Sequence, residues 1–246
     1  MKNETDPNAP AGGTPSHSGN QELWFRAVAQ AFLLPMLLII VLFYPAGTLS
    51  WPPGWVLMAI YLGGMLFTNL WLVVRHPGLA RERLIIPRSS ERWDLKLIQI
   101  TNFLLLAVLL PLCGLDHRFE WSPAVPFTVS FAALLLFAVL FLFMGWAMSA
   151  NDFFSSAVRL QNDRGQTVAA GGPYRIVRHP GYGMMIIQFL AIPVILGSVW
   201  ALIPASMIGI VYVYRTSRED RMLHENLAGY ADYAKHVIFR LIPGIW

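Results

Sequence analysis

MMIIQFLAIPVILGSVWALIPASMIGIVYVY, residues 184–214, is almost wholly apolar, and it is too long for one crossing of a bilayer core, which takes about 20 helical residues. Gly197-Ser198 interrupts it near the middle. The stretch therefore predicts a tight turn between two short helices of about 14 to 16 residues each, fewer than the usual 20 or so. Upstream, apolar runs at roughly 27–47, 54–74, 97–115 and 125–149 are each long enough to cross. The expected fold is all-α: a polytopic integral membrane helical bundle of about six transmembrane segments, ending in a C-terminal hairpin. Pro35, Pro111, Pro193 and Pro204 fall inside these runs, where kinks are tolerated if neighbouring groups satisfy the freed carbonyls.

Composition agrees. Of the 246 residues 56% are hydrophobic and only 13% charged, where a soluble domain carries about 25% charge. A single cysteine, Cys113, excludes an intramolecular disulfide framework and a cysteine-built zinc site. Residues 1–22 are rich in Pro, Gly, Ser, Thr and Asn with almost no large apolar side chain, so they are expected to be a disordered tail. The first apolar run begins only at Leu23, too late for a secretory signal, and predicts an uncleaved first span. This divides the chain into a tail at 1–22, a four-span membrane region at 23–149 and a region at 150–246 that carries the polar motifs.

Basic residues set the expected orientation. Those at 75–96, 150–183 and beyond Tyr214, with Lys2 and Arg26, lie on one side and include every one of the 18 except Arg118. By the positive-inside bias that side and both termini are expected in the cytoplasm, with the spans in the inner membrane if the host is bacterial. Trp51, Trp55, Trp121 and Trp200 cluster at the opposite ends of the spans, where an aromatic belt would place them. The pI of about 9.4 fits loops that face anionic lipid and implies no nucleic acid.

The polar motifs sit on the basic side. Gly171-Gly172-Pro173-Tyr174-Arg175-Ile176-Val177-Arg178-His179-Pro180-Gly181-Tyr182 opens with a glycine turn that lets backbone approach a ligand, and Pro180 fixes His179 on a bend. Beyond the hairpin, Arg215, Glu219 and Leu223 share one helix face by their four-residue spacing, with Tyr230 and Tyr233 on a later turn. Ionisable groups at the edge of membrane spans are costly to keep and mark function. The same residues also admit structural readings: an Arg215–Glu219 helix salt bridge, a capping box at Thr216-x-x-Glu219, a satisfied structural histidine at 179. Arg75-His76-Pro77-Gly78 repeats Arg178-His179-Pro180-Gly181, but it lacks the Gly-Gly-Pro-Tyr approach and is the weaker candidate.

Gly172-Pro173-Tyr174, Val177-Arg178-His179-Pro180, Tyr182, Arg215 to Leu223, Gly229-Tyr230 and Tyr233 together resemble the C-terminal half of the isoprenylcysteine carboxyl methyltransferase family and its microbial relatives. The resemblance covers roughly residues 150–246. It implies an S-adenosylmethionine-dependent membrane methyltransferase with a cytosolic cofactor pocket and a lateral opening for a lipophilic or small acceptor. By the same resemblance, Tyr174, Val177, Arg178, His179, Pro180, Tyr182 and Glu219 hold the cofactor, and Arg215 and Glu219 are the catalytic pair, with Arg215 on the acceptor's reacting group. The sequence departs from the family at Met184, where glycine is usual, and at Asp220, where a second glutamate is usual.

Methyl transfer from a sulfonium is an in-line displacement, so alignment, exclusion of water and charge stabilisation are its main demands. Arginine and carboxylate suffice for an ionised acceptor, such as the carboxylate of an isoprenylcysteine-like substrate. Two other classes fit less of the pattern. An NADPH-dependent membrane reductase related to sterol reductases shares an Arg-His-Pro-x-Tyr element, and a non-enzymatic scaffold or transport subunit leaves the glycine-proline bend without a purpose. No obligate protein partner is implied.

Overall fold

The computed structural model describes residues 33–84 and 89–246. The expected N-terminal tail and the first turns of the first span lie outside them. The described residues form helices without any strand: α1 (Leu34–Ala46), α2 (Pro52–Arg75), α3 (Pro77–Leu84), α4 (Arg92–Phe119), α5 (Phe127–Ser149), α6 (Pro180–Leu196), α7 (Leu202–Asn226) and α8 (Tyr230–His236). Short 3₁₀ turns at Asn162–Arg164 and Gly172–Arg175 break the long connection between α5 and α6.

Three helices, α2, α4 and α5, are long and apolar enough to cross a membrane by length and composition, while α1 and α6 are apolar but shorter. The protein is thus a helical membrane protein, as its composition requires. The expected hairpin is present. Gly197 ends α6 in the left-handed region at φ 77°, which glycine enters without steric cost. α7 then runs 25 residues, past the apolar hairpin and on through Arg215 to Asn226, so its later turns leave the apolar zone. In α4 the segment Leu104–Leu109 widens into a π-helix just before Pro111. Proline removes a backbone donor and crowds the carbonyl four residues back, and a π-turn is one way to accommodate that.

Packing joins the front and back of the chain. α5 lies along α6, α6 along α7, α1 along the second half of α4, and α7 against the π-turn. Their shared core includes Leu42, Leu57, Leu109, Phe137, Ile195 and Ile208. Facing outward, Phe127, Leu142 and Val74 are among many exposed apolar side chains, the pattern expected where lipid rather than water is the solvent.

The two ends of the bundle differ. At one end the loops after α1, α4 and α6 meet. There Ser198 and Ser122 donate their hydroxyls to buried Asp116, whose other carboxylate oxygen accepts the Ser122 N–H at 2.8 Å. Trp55, Trp121 and Trp200 are exposed at this end as an aromatic belt would be, whereas Trp51 turns inward and stacks on His117 at 4.3 Å. The other end gathers α3, the start of α4, the 150–179 connection and everything after Tyr214, and with them most of the arginines.

Candidate functional site

At the basic end the backbone is shaped by two residues. Gly172 has φ 54°, and a Cβ there would meet the Ala150 Cβ at 2.9 Å and the Trp146 indole at 3.0 Å. Only glycine fits, and the turn it permits buries Tyr174 against α5. Pro180 occupies the first position of α6, where a missing N–H costs nothing. It keeps His179 out of the helix, at φ −128° and ψ 61°. His179 therefore sits on the fixed bend that the sequence predicts.

That bend closes on Asp220 of α7. Arg178 grips the carboxylate with both edges of its fork, Nε to Oδ1 at 2.8 Å and Nη2 to Oδ2 at 3.0 Å. His179 Nε2 lies 3.2 Å from Oδ1, Tyr230 donates its hydroxyl to Oδ1 at 2.8 Å, and Arg240 donates Nε to Oδ2 at 2.8 Å. Burial alone would raise the Asp220 carboxyl, but hydrogen bonds from His179, Arg178 and Arg240 prevail and hold it well below the usual carboxylate range. Burial, then the Asp220 charge, pushes the Tyr230 phenol up. Residues 237–240 complete the lock. Arg178 Nη1 donates to the Val237 and Ile238 carbonyls at 2.7 and 2.9 Å, and the Arg178 and His179 N–H groups donate to Phe239 and Arg240. Asp220 is an internal hub rather than a wall of the cavity described below.

Two further arginines are tied in the same way. Arg215 is buried, donates Nη2 to Asp94 Oδ2 at 2.8 Å and Nε to Oδ1, and lies 4.9 Å over the Tyr182 ring. Asp94 also accepts the Val158 N–H at 2.7 Å. Arg159 makes a bidentate pair with Glu82, at 2.8 and 3.0 Å, and reaches Asp163 at 2.7 Å. The structural readings of α7 are thereby decided. Arg215 pairs with Asp94, so it makes no helix salt bridge to Glu219; and Thr216 donates its hydroxyl to the Tyr212 carbonyl at 2.8 Å within an unbroken helix, so it caps nothing.

Between the bend, α7 and the spans lies a cavity of about 450 Å³, within the usual range for a small-molecule site. Tyr174, Arg178, His179, Tyr182, Arg215 and Glu219 all line it. Leu223 does too, so the predicted face of α7 is the face that the cavity sees. Val177 and Pro180, the other two expected cofactor residues, are buried outside the lining and serve the bend. Glu219 accepts a hydrogen bond from the Tyr182 hydroxyl and, among the described residues, has no ion-pair partner. Around it the walls are aromatic: His179 and Tyr182 stack at 5.9 Å, and Tyr230 meets Tyr233 edge-on at 5.6 Å. Tyr233 donates to the Tyr174 carbonyl at 2.7 Å, and burial pushes its phenol up to about 12.

Residues 128–229 match the phospholipid methyltransferase family. The match runs from the start of α5 through α7 to Gly229, taking in the Gly172 turn, the Arg178-His179 bend and Glu219. It bears out the resemblance seen in the sequence, and it points to a membrane methyltransferase. No curated protein matches the chain. Asp94, Glu82, Tyr230, Tyr233 and Arg240 lie outside the phospholipid methyltransferase match although they complete the site's hydrogen bonding. Sequence spacing gives no sign that Asp94 meets Arg215, 121 positions away. The available signal is the cost of an acidic side chain at the head of an apolar span, which makes such a residue worth a partner.

Proposed function

We propose that the chain is an S-adenosylmethionine-dependent membrane methyltransferase acting on a lipophilic or small acceptor, with the cavity opening on the cytoplasmic side. One observation carries the reading. Arg178, Arg159 and Arg215 each have a carboxylate, while Glu219, the one carboxylate among the described residues that line the cavity, has no ion-pair partner among them. A half-buried carboxylate among aromatic rings suits a cationic ligand, through charge and through the ring faces together. S-adenosylmethionine, when bound, supplies an electrophilic methyl group on a sulfonium sulfur. Tyr174, His179, Tyr182 and Glu219 are the residues to hold it.

The chain's own part is positioning. The Asp220 hub fixes His179 and Arg178, and the Asp94–Arg215 pair fixes the facing wall. Because Asp94 already neutralises Arg215, that guanidinium acts on an acceptor as one edge of a neutral pair, in a weaker role than a lone cation would have. A carboxylate or thiolate acceptor, an isoprenylcysteine-like one included, arrives ionised and requires no base. An amine acceptor must lose a proton, and Glu219 is placed to take it, since His179 Nε2 is already engaged by Asp220 and Tyr230.

Purified full-length protein titrated with S-adenosylhomocysteine is expected to gain thermal stability, and with NADPH to gain none, because only a ligand bound to the folded state shifts unfolding. Stabilisation by NADPH alone would replace this reading with a reductase. Labelled methyl transfer in membranes then identifies the acceptor, and base-released methanol marks an ester.

A further inference from the structure

Three carboxamide side chains line the membrane half of the same cavity: Asn69 on α2, Asn102 on α4 and Gln188 on α6. Counted along their helices from the basic end, Asn69 lies about 9 Å from Arg75, Gln188 about 12 Å from Pro180 and Asn102 about 15 Å from Arg92, at 1.5 Å per residue. All three are thus at hydrocarbon depth. Their neighbours in the wall, Tyr61, Met65, Phe141 and Met185, are largely apolar. The residues assigned above to the sulfonium donor lie at the mouth and make no use of these amides.

Gln188 gives the sharpest signal. Its Nε2 is buried and has no hydrogen-bond partner among the described residues. An amide N–H without an acceptor is costly in any interior and more so in hydrocarbon, so a group kept in that condition calls for an explanation. Asn69 and Asn102 are exposed residues that line the same space. α2 packs on α5 and α6, α4 on α1 and α7, and the amides stand where the cavity runs between these two sets of helices.

Resting on the methyl-transfer reading of this cavity, we infer that Gln188, with Asn69 and Asn102, binds a hydrogen-bond-accepting oxygen, a carbonyl or a hydroxyl, within the apolar part of the acceptor lipid. The three amides then set how deep the acceptor lies and which atom of it comes up to Glu219. A chain that is hydrocarbon throughout, such as a prenyl group, leaves the Gln188 N–H unsatisfied. A lipid with oxygen at that depth satisfies it. These are positioning and specificity residues, and they touch neither the donor nor the reacting atoms.

The test uses full-length protein in detergent with four probes: dioleoyl phosphatidylethanolamine, its diether analogue, oleyl alcohol and N-acetyl-S-farnesylcysteine. Wild type is expected to bind at least one of the other three probes at least tenfold more tightly than the farnesyl probe, whose chain carries no oxygen. Preference for the ester over the diether assigns the oxygen to a carbonyl, and preference for oleyl alcohol assigns it to a hydroxyl. Gln188→Met removes the unsatisfied donor at similar volume, so it is expected to raise Tm while abolishing the preference, with S-adenosylhomocysteine affinity within twofold of wild type. A Gln188→Met protein that keeps the preference, or a wild type that binds all four probes alike, overturns the inference. Failure of wild type to bind S-adenosylhomocysteine would overturn the methyl-transfer reading instead, and the lipid series would still decide the role of the amides.

Discussion

Arg75-His76-Pro77-Gly78 and Arg178-His179-Pro180-Gly181 are the same tetrapeptide, and they fold alike. His76 has φ −137° and ψ 62°, His179 φ −128° and ψ 61°, and each precedes a helix that starts at the proline. What surrounds them differs. His179 is buried among Asp220, Tyr230 and Tyr182, while His76 faces Asp152 at 3.7 Å, a carboxylate that is 74% exposed. Arg178 is locked to Asp220, whereas Arg75 is exposed at its helix end. Proline and sterics set the backbone in both copies. Only one copy is closed over by α7 and residues 237–240, and that is the copy that lines the cavity.

The largest effect is expected from the hub itself. Asp220→Asn removes the charge that holds Arg178 and Arg240 and should destabilise the fold by about 3 to 5 kcal/mol, read as a drop in Tm. A loss under 1 kcal/mol would deny the hub its role. The pH dependence has a definite sign. The Asp220 pKa is depressed on folding, so its contribution is complete above the unfolded carboxyl value of about 3.9 and is lost as pH falls below it. The acid limb of a Tm–pH profile should therefore flatten in Asp220→Asn.

Next come the histidines. His179→Ala is expected to weaken S-adenosylhomocysteine binding at least tenfold, about 1.4 kcal/mol, and Glu219→Gln to do the same with an unchanged helical circular-dichroism spectrum. His76→Ala should leave affinity within twofold. Equal effects at 76 and 179 would erase the distinction between the copies.

The glycines sharpen it. A Cβ on Gly181 would meet Phe154 at 2.8 Å, whereas one on Gly78 has nothing closer than Arg164 at 3.9 Å. Gly181→Ala should cost about 1 to 3 kcal/mol by overpacking. Gly78→Ala should be neutral or stabilising by up to about 1 kcal/mol, since alanine is the better helix former. A chemical-denaturation curve for each variant decides the matter.

Most of the fold was legible in the sequence, because membrane spans announce themselves by length and hydropathy and the turn at Gly197-Ser198 by its small residues. The placing of Tyr174, His179, Tyr182 and Glu219 around one cavity followed from local rules, a proline bend and a four-residue helical spacing. What the sequence did not disclose was pairing across the chain. Asp94 with Arg215, Glu82 with Arg159 and Asp220 with Arg240 are long-range or tail contacts that no periodicity encodes. For that reason Arg215 reads in the sequence as a cation free for an acceptor, and Asp220 as a shortened partner of Glu219, when their burial gives them one another's kind as fixed companions. Trp51 lies at the expected end but turns inward for the same reason, as its stacking partner His117 lies on α4, far off in sequence.

The backbone carbonyls of residues 237–240 are part of the bend that carries Arg178 and His179. They are made after all the membrane helices. The last turn of the bend is therefore set by chain that follows every membrane helix in sequence, not by the helices themselves. A chain cut before Val237 would keep every membrane helix but lose the carbonyls that hold Arg178 and His179.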